Sequence, residues 1–358
     1  MKELGGHSIS EDQPQVKLHV NKNHPGGLWT IETQIGEAEP RIIPVFDCRQ
    51  DSHKEDIARL LASYKRCVAF GVGLYGISVL VEDPRVGRNP DTWKAYYEAK
   101  EGRPLSSRIP IFAPPRFQHL YMDREVIDDD FRKFLETRET REQLFKSGVS
   151  FHLMVRVPKD AAYIHPVFIR DEGDWDASVF WWHDPDWEDI SNLTYNLNPH
   201  ATAGISSFNK SKEPPAFNFE GVIDFILQYK RAPFDFVVRD SECEGVGVMS
   251  SHTQIRPALK GEKKEWVIVR KGSMSADGLM KAISSPFPYR VLDEDKIADR
   301  GHPKDAILDE LVSEVRDKTA TNYEKRHQSK PFVNRALSFF DIREKRYSVL
   351  AKADVELK

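Results

Sequence analysis

The stretch from residue 52 to residue 71 constrains this chain more than any other. Ile57, Leu60, Leu61 and Tyr64 recur at i, i+3, i+4 and i+7, the spacing of one helix face. Ser52 followed three residues later by Glu55 has the form of a capping box and predicts the helix start there. The helix runs into Arg66-Cys67-Val68-Ala69-Phe70, a short apolar run closed by Gly71, which reads as a buried strand ending in a turn. A helix that feeds a core strand implies an α/β domain.

Further elements extend that pattern. Apolar runs predict strands at 18–20 and 28–35 within an N-terminal extension, and at 109–112, 150–157, 178–182, 234–238 and 266–270. Asp91 is placed to cap a helix carrying Trp93, Tyr96 and Tyr97, stopped by Gly102 and Pro104. Asp128, Asp129 and Asp130 suit the first turn of a helix running toward Phe145, and Val222, Phe225, Ile226 and Tyr229 mark another. No period of 20 to 50 residues repeats, which excludes solenoids and propellers. After about residue 300 the chain turns charged and helical, so three parts are expected: an extension over 1–44, a catalytic domain over 45–290 and a charged helical C-terminal region over 291–358.

Composition removes several function classes. With 52 Lys plus Arg against 56 Asp plus Glu the net charge is -4, which supplies no global pull toward nucleic acid, so nucleic acid is not expected as a direct partner. No apolar run approaches a membrane span and the N-terminus lacks the apolar centre of a signal peptide, so no membrane association and a cytoplasmic location are expected. Cys48, Cys67 and Cys243 lie far apart with no CxxC spacing, which suggests neither a disulfide framework nor a zinc site, and no metal-ligating residues are assigned. Oligomeric state is left open.

The informative segment is 203–215, a polar loop ending in Pro214-Pro215. Small hydroxyl and amide side chains between a strand and a helix suit the gripping of phosphate or carboxylate oxygens, although Ser and Asn are also the commonest turn residues. Residues 207–215, S-F-N-K-S-K-E-P-P, resemble the S-A-N-x-S-G-x-P-P loop of the YrdC-like family, whose best-known members are threonylcarbamoyl-AMP synthases of tRNA modification. Residues 98–104, E-A-K-E-G-R-P, are similar to the family's A-K-G-R-P segment with one residue added. Leu74-Tyr75-Gly76-Ile77 matches its V-Y-G-L, Gly148 with the following strand its W-P-G-P-L-T, and Val269-Arg270-Lys271-Gly272 its L-R-x-G, all in the same order across about residues 45–285.

The resemblance implies a twisted mixed sheet with flanking helices around a deep cavity. It implies catalytic roles for Lys100 and Arg103, phosphate binding by Ser207, Asn209 and Arg270, and ATP with Mg²⁺ as cofactors. The expected reaction forms a carbamoyl-adenylate from ATP, bicarbonate and an amino acid or other metabolite. Where the family has P-T-E-T this chain has Gly71-Val72-Gly73, and an aromatic replaces the Arg of its V-R-V-x-x-H-P strand at 179–185. Tyr75, Phe180, Trp181 and His183 are therefore candidates for a rebuilt substrate wall, with core packing the competing reading of the aromatics and His252 a second candidate base beside His183. A tailoring enzyme with another acceptor and a non-catalytic nucleotide- or RNA-binding relative are the alternatives.

Overall fold

The computed structural model describes residues 15–21, 27–34, 39–71, 73–101, 103–105, 107–113, 120–137, 139–140, 143, 150–170, 173, 175–182, 184–210, 215–244, 252–272, 276–292 and 306–327. Two strands at the middle show what the sheet demands. Strands β4 (Cys67–Phe70) and β5 (Tyr75–Glu82) are buried at every residue, as strands covered on both faces must be. Around them run β1 (Gln15–Asn21), β2 (Leu28–Gln34), β3 (Arg41–Asp47), β6 (Ile111–Phe112), β7 (Phe151–Val155), β8 (Ala177–Trp181), β9 (Ala201–Ser207), β10 (Phe236–Arg239), β11 (Gln254–Arg256), β12 (Trp266–Arg270) and β13 (Tyr289–Val291). Among the described residues they form one mixed sheet in the order β1-β2-β3-β10-β4-β5-β9-β6-β8-β7-β11-β12-β13.

The parallel trio β3, β10 and β4 is joined through helices, while β4, β5 and β9 run antiparallel. Strand β6 crosses β9 at Ile111 opposite Gly204, where a Cβ would stand 2.5 Å from Ile109 Cγ2. Only glycine permits that approach.

Helix α1 (Asp51–Ala62) buries Ile57, Ala58 and Leu61 as its spacing predicts. Its start is a correction: Gln50 is the N-cap and makes no side-chain cap bond, and Asp51 is turned instead to an ion pair with Lys54 at 2.7 Å. Helix α2 (Lys94–Ala99) begins after Trp93, because Asp91 closes a preceding turn through Lys94 N–H to Asp91 C=O at 2.9 Å. Helix α3 (Asp129–Glu136) is capped by Asp128, which accepts from Asp130 N–H at 3.0 Å. Helix α4 (Pro185–Leu197) follows the cap Asp184 and carries buried Asp186, Glu188, Ser191 and Thr194 on its packed face, so its apolar period is broken and escaped the sequence reading. Helices α5 (Phe219–Tyr229), α6 (Ala276–Ala282) and α7 (Ala306–Arg326) complete the set. No helix among the described residues is long and apolar enough to cross a membrane.

The expected domain boundaries move. Residue 44 falls inside β3, and Ile31 of β2 and Ile43 of β3 are fully buried in the same core as Val68 and Ile77, so the N-terminal strands belong to the sheet. Residue 290 falls inside β13, which pairs with β12. Helix α7 is tied to α4 by Arg326 to Asp186 at 2.9 Å and Tyr323 O–H to Asp189 at 3.1 Å. All three thiols are buried and unbridged.

Candidate active site

Lys100 follows the last turn of α2, where its N–H donates the helix-ending bond to Tyr96 C=O, and the residue is 3% exposed. Nζ donates to Ser207 C=O at 2.6 Å and to Asn209 Oδ1 at 2.5 Å. Ser207 Oγ donates to the same Oδ1 at 2.7 Å. Two donors on the Asn209 oxygen fix the orientation of the amide. The strand register places this trio at the start of β5, with Gly76 opposite Ser207.

Arg103 extends the group. Its guanidinium lies 5.4 Å from the Tyr96 ring and donates to Arg108 C=O at 3.1 Å. Burial and the Arg103 charge push Lys100 down to about 7 and hold Arg270 below the usual guanidinium range. Among the described residues no carboxylate lies within ion-pair distance of Lys100, Arg103 or Arg270. Arg103 and Arg270 together line a cavity of about 360 Å³ that also receives Arg108, Arg170, Trp175 and Ser178.

The remaining candidates separate. Phe180 is buried and its ring meets His252 at 4.9 Å and His152 at 5.4 Å, so it backs the site rather than facing a substrate. Trp181, its neighbour on the strand, points to the other face, fully buried and stacked on Phe151 at 5.7 Å, which corrects its placement in a substrate wall. Tyr75 is also fully buried; its O–H donates to Glu244 at 2.9 Å, and that carboxylate borders a second cavity of about 540 Å³ among β3, β10 and the starts of α1 and α5. His183 lies outside the described residues.

Sequence reasoning missed His152 and Ser178. His152 Nδ1 and Ser178 Oγ are 2.9 Å apart across β7 and β8, and burial, His252, Arg270 and Arg103 hold the imidazole well below its ordinary pKa. Each is a single polar residue in an apolar strand, a signal that only three-dimensional pairing makes legible.

Asp51, Asp186 and His327 bring ligand-type atoms within 4.8 Å of one another. Asp186 there is already paired with Arg49, Lys54 and Arg326, so its charge is met without an ion.

No family model matches the chain, and no curated protein sequence does. Its neighbours among solved structures are Sua5/YrdC-family proteins. P. abyssi Sua5 complexed with L-threonine is 17% identical over 66% of this chain and 58% of that one, with a TM-score of 0.41. E. coli YciO is 12% identical over 67% and 96%, with a TM-score of 0.44. A hypothetical protein from Streptococcus mutans UA159 is 14% identical over 69% and 96%, with a TM-score of 0.46. The chain spans 58% and 64% of the two P. abyssi Sua5 structures that it resembles. The chemistry of the site rests on its own geometry.

Proposed function

We propose that this chain is an ATP-dependent adenylate-forming enzyme that makes a carbamoyl-adenylate-type product. The observation that carries the reading is the meeting of Lys100, Arg103 and Arg270, cations without a carboxylate partner among the described residues, with the fixed amide of Asn209 and the hydroxyl of Ser207. A buried ammonium and two partly buried guanidinium groups beside neutral donors form a site for a polyanion. In the reaction an amine and bicarbonate give a carbamate with loss of water, a carbamate oxygen attacks the α-phosphorus, and pyrophosphate leaves. Arg103 and Arg270 offset the charge that develops, Lys100 holds the Ser207–Asn209 element in place, and Asn209 supplies a preorganised donor.

Mg²⁺ would come on the triphosphate. Among the described residues the cavity beside Arg103 offers one carboxylate, Asp176, which Arg156 holds at 2.7 Å, so that lining has no spare carboxylate for the ion. The guanidinium groups carry the neutralising role.

The acceptor is not threonine in this reading. Gly71 and Gly73 leave the β4–β5 turn without side-chain donors for a hydroxyl. Incubation with ATP, bicarbonate and threonine should give little threonylcarbamoyl-AMP by mass spectrometry, and brisk turnover would restore threonine as the substrate. Calorimetry with ATP and AMP tests the nucleotide site itself. No heat at millimolar nucleotide overturns it.

A further inference from the structure

The cavity beyond Arg103 has two chemically different walls. One is cationic, with Arg108, Arg170 and Arg270 joining Arg103, and among the described lining residues the one carboxylate is Asp176, engaged by Arg156. The other is apolar. Met154, Trp175 and Val269 make a small cluster of their own, 7–9% exposed, apart from the two main cores. Leu292, 44% exposed after β13, borders the same cavity. Ser178 sits between the walls with His152 behind it, 2.9 Å from its hydroxyl. A neutral imidazole that gives its Nδ1–H to Oγ leaves the serine proton for a ligand oxygen.

The lining separates this space from the Ser207–Asn209 element. At about 360 Å³ it suits one small molecule, and Lys100, Ser207 and Asn209 are not part of its lining. Arg103 and Arg270 belong to both groups.

We propose that this cavity is the acceptor chamber, and that it takes an aromatic carboxylate: the carboxylate on the arginines and the Ser178 hydroxyl, the flat ring against Trp175, Met154 and Val269. The assignment rests on the adenylate-forming reading for the word acceptor, while the carboxylate site stands on the lining alone. Guanidinium groups hold a carboxylate in bidentate fashion, and an indole face with a thioether beside it favours a flat ring over a short polar chain. A small hydroxylated acid would leave that wall wet.

The test uses the full chain and two probe pairs, indole-3-acetate against acetate and L-phenylalanine against L-threonine, titrated by calorimetry with and without ATP. The aromatic member should bind at least about tenfold tighter in each pair, because a buried ring removes apolar area from water. Trp175→Leu should erase most of that preference and leave ATP affinity unchanged. Ser178→Ala should weaken both members of each pair several-fold with their ratio kept. Equal affinity within the pairs, or a preference that survives in Trp175→Leu, overturns the proposal. Strict competition between ATP and indole-3-acetate overturns the separate chamber, and this measurement needs no variant. Aromatic binding without any ATP binding would defeat the adenylate-forming reading and keep the carboxylate site; ATP binding without aromatic binding does the reverse.

Discussion

Two regions of this molecule bury several charges and resolve them in opposite ways. Behind the sheet, Arg49 is met by Asp184 at 2.8 Å, Asp186 at 2.8 Å and Asp240 at 2.6 Å. Lys54 beside it pairs with Asp186 at 2.6 Å and Asp189 at 3.2 Å. Burial alone would lower both cations, but Asp184 and Asp240 raise Arg49, and Asp186 and Asp189 raise Lys54. At the candidate site burial lowers Lys100 and Arg270, and the nearest charge, Arg103, lowers them further. Matched buried charge joins α1, α4 and α7 into one unit. Unmatched buried charge stores an affinity for an anion.

The comparison breaks first at Arg49. Arg49→Ala removes the cation that Asp184, Asp186 and Asp240 share, with Asp186 keeping Lys54 and Arg326, and loss of one partner from such a buried group costs about 3–5 kcal/mol. Urea denaturation should show that fall in stability, with nucleotide affinity of the remaining folded protein unchanged. A loss below about 1 kcal/mol would mean that this region is solvated and that the contrast is false.

Lys100→Met should behave in the reverse manner. Removing a cation from a site that already disfavours it leaves the melting temperature level or higher at pH 7, while ATP affinity drops about tenfold to a hundredfold, or about 1.5–3 kcal/mol. A variant that melts far lower and binds ATP normally would make Lys100 a structural residue.

Part of the fold and of the candidate site was legible in the sequence, and the limit is physical. The helix face of Ile57, Leu60 and Leu61 and the strand 67–70 follow from apolar period alone, and Lys100, Arg103, Ser207 and Asn209 were singled out by the resemblance of two short motifs to the YrdC-like family. Lys100 and Ser207 nevertheless lie 107 positions apart, and only the pairing of β5 with β9 brings them together. Helix α4 was hidden because its inward face is partly polar, and those polar residues belong to the matched charges. Tyr75 and Trp181 show the remaining limit: an aromatic in a strand gives no sign of whether it meets a ligand or the core, and here both are fully buried.

The pH dependence sharpens the contrast with a smaller effect. Lys100 titrates near 10.4 when unfolded and about 7 when folded, so the folded state releases a proton first. Its contribution to stability is lowest below pH 7 and improves as pH climbs toward 10.4. Anion binding has the opposite sign, because a bound phosphate favours the ammonium. Affinity for ATP should be full below pH 7 and fall by up to about tenfold per unit above it, with proton uptake on binding seen as heats that depend on the buffer. A flat profile from pH 6 to 9 in the parent protein would remove Lys100 from the anion's surroundings.

The smallest effect is expected where charge is neither buried nor unmatched. Glu55 and Arg59 on α1 pair at 2.5 Å across one helical turn with both side chains mostly in solvent. Water screens them in either state, the order of Glu before Arg suits the helix dipole, and such pairs contribute about 0.3–0.5 kcal/mol. Arg59→Ala should shift the urea midpoint barely, lose even that shift in high salt, and leave ATP binding alone. Arg49 lies ten positions earlier, just before the start of the same helix, so a loss at Arg59 rivalling that of Arg49→Ala would show that proximity to α1, and not burial with matched carboxylates, sets the cost of removing a cation.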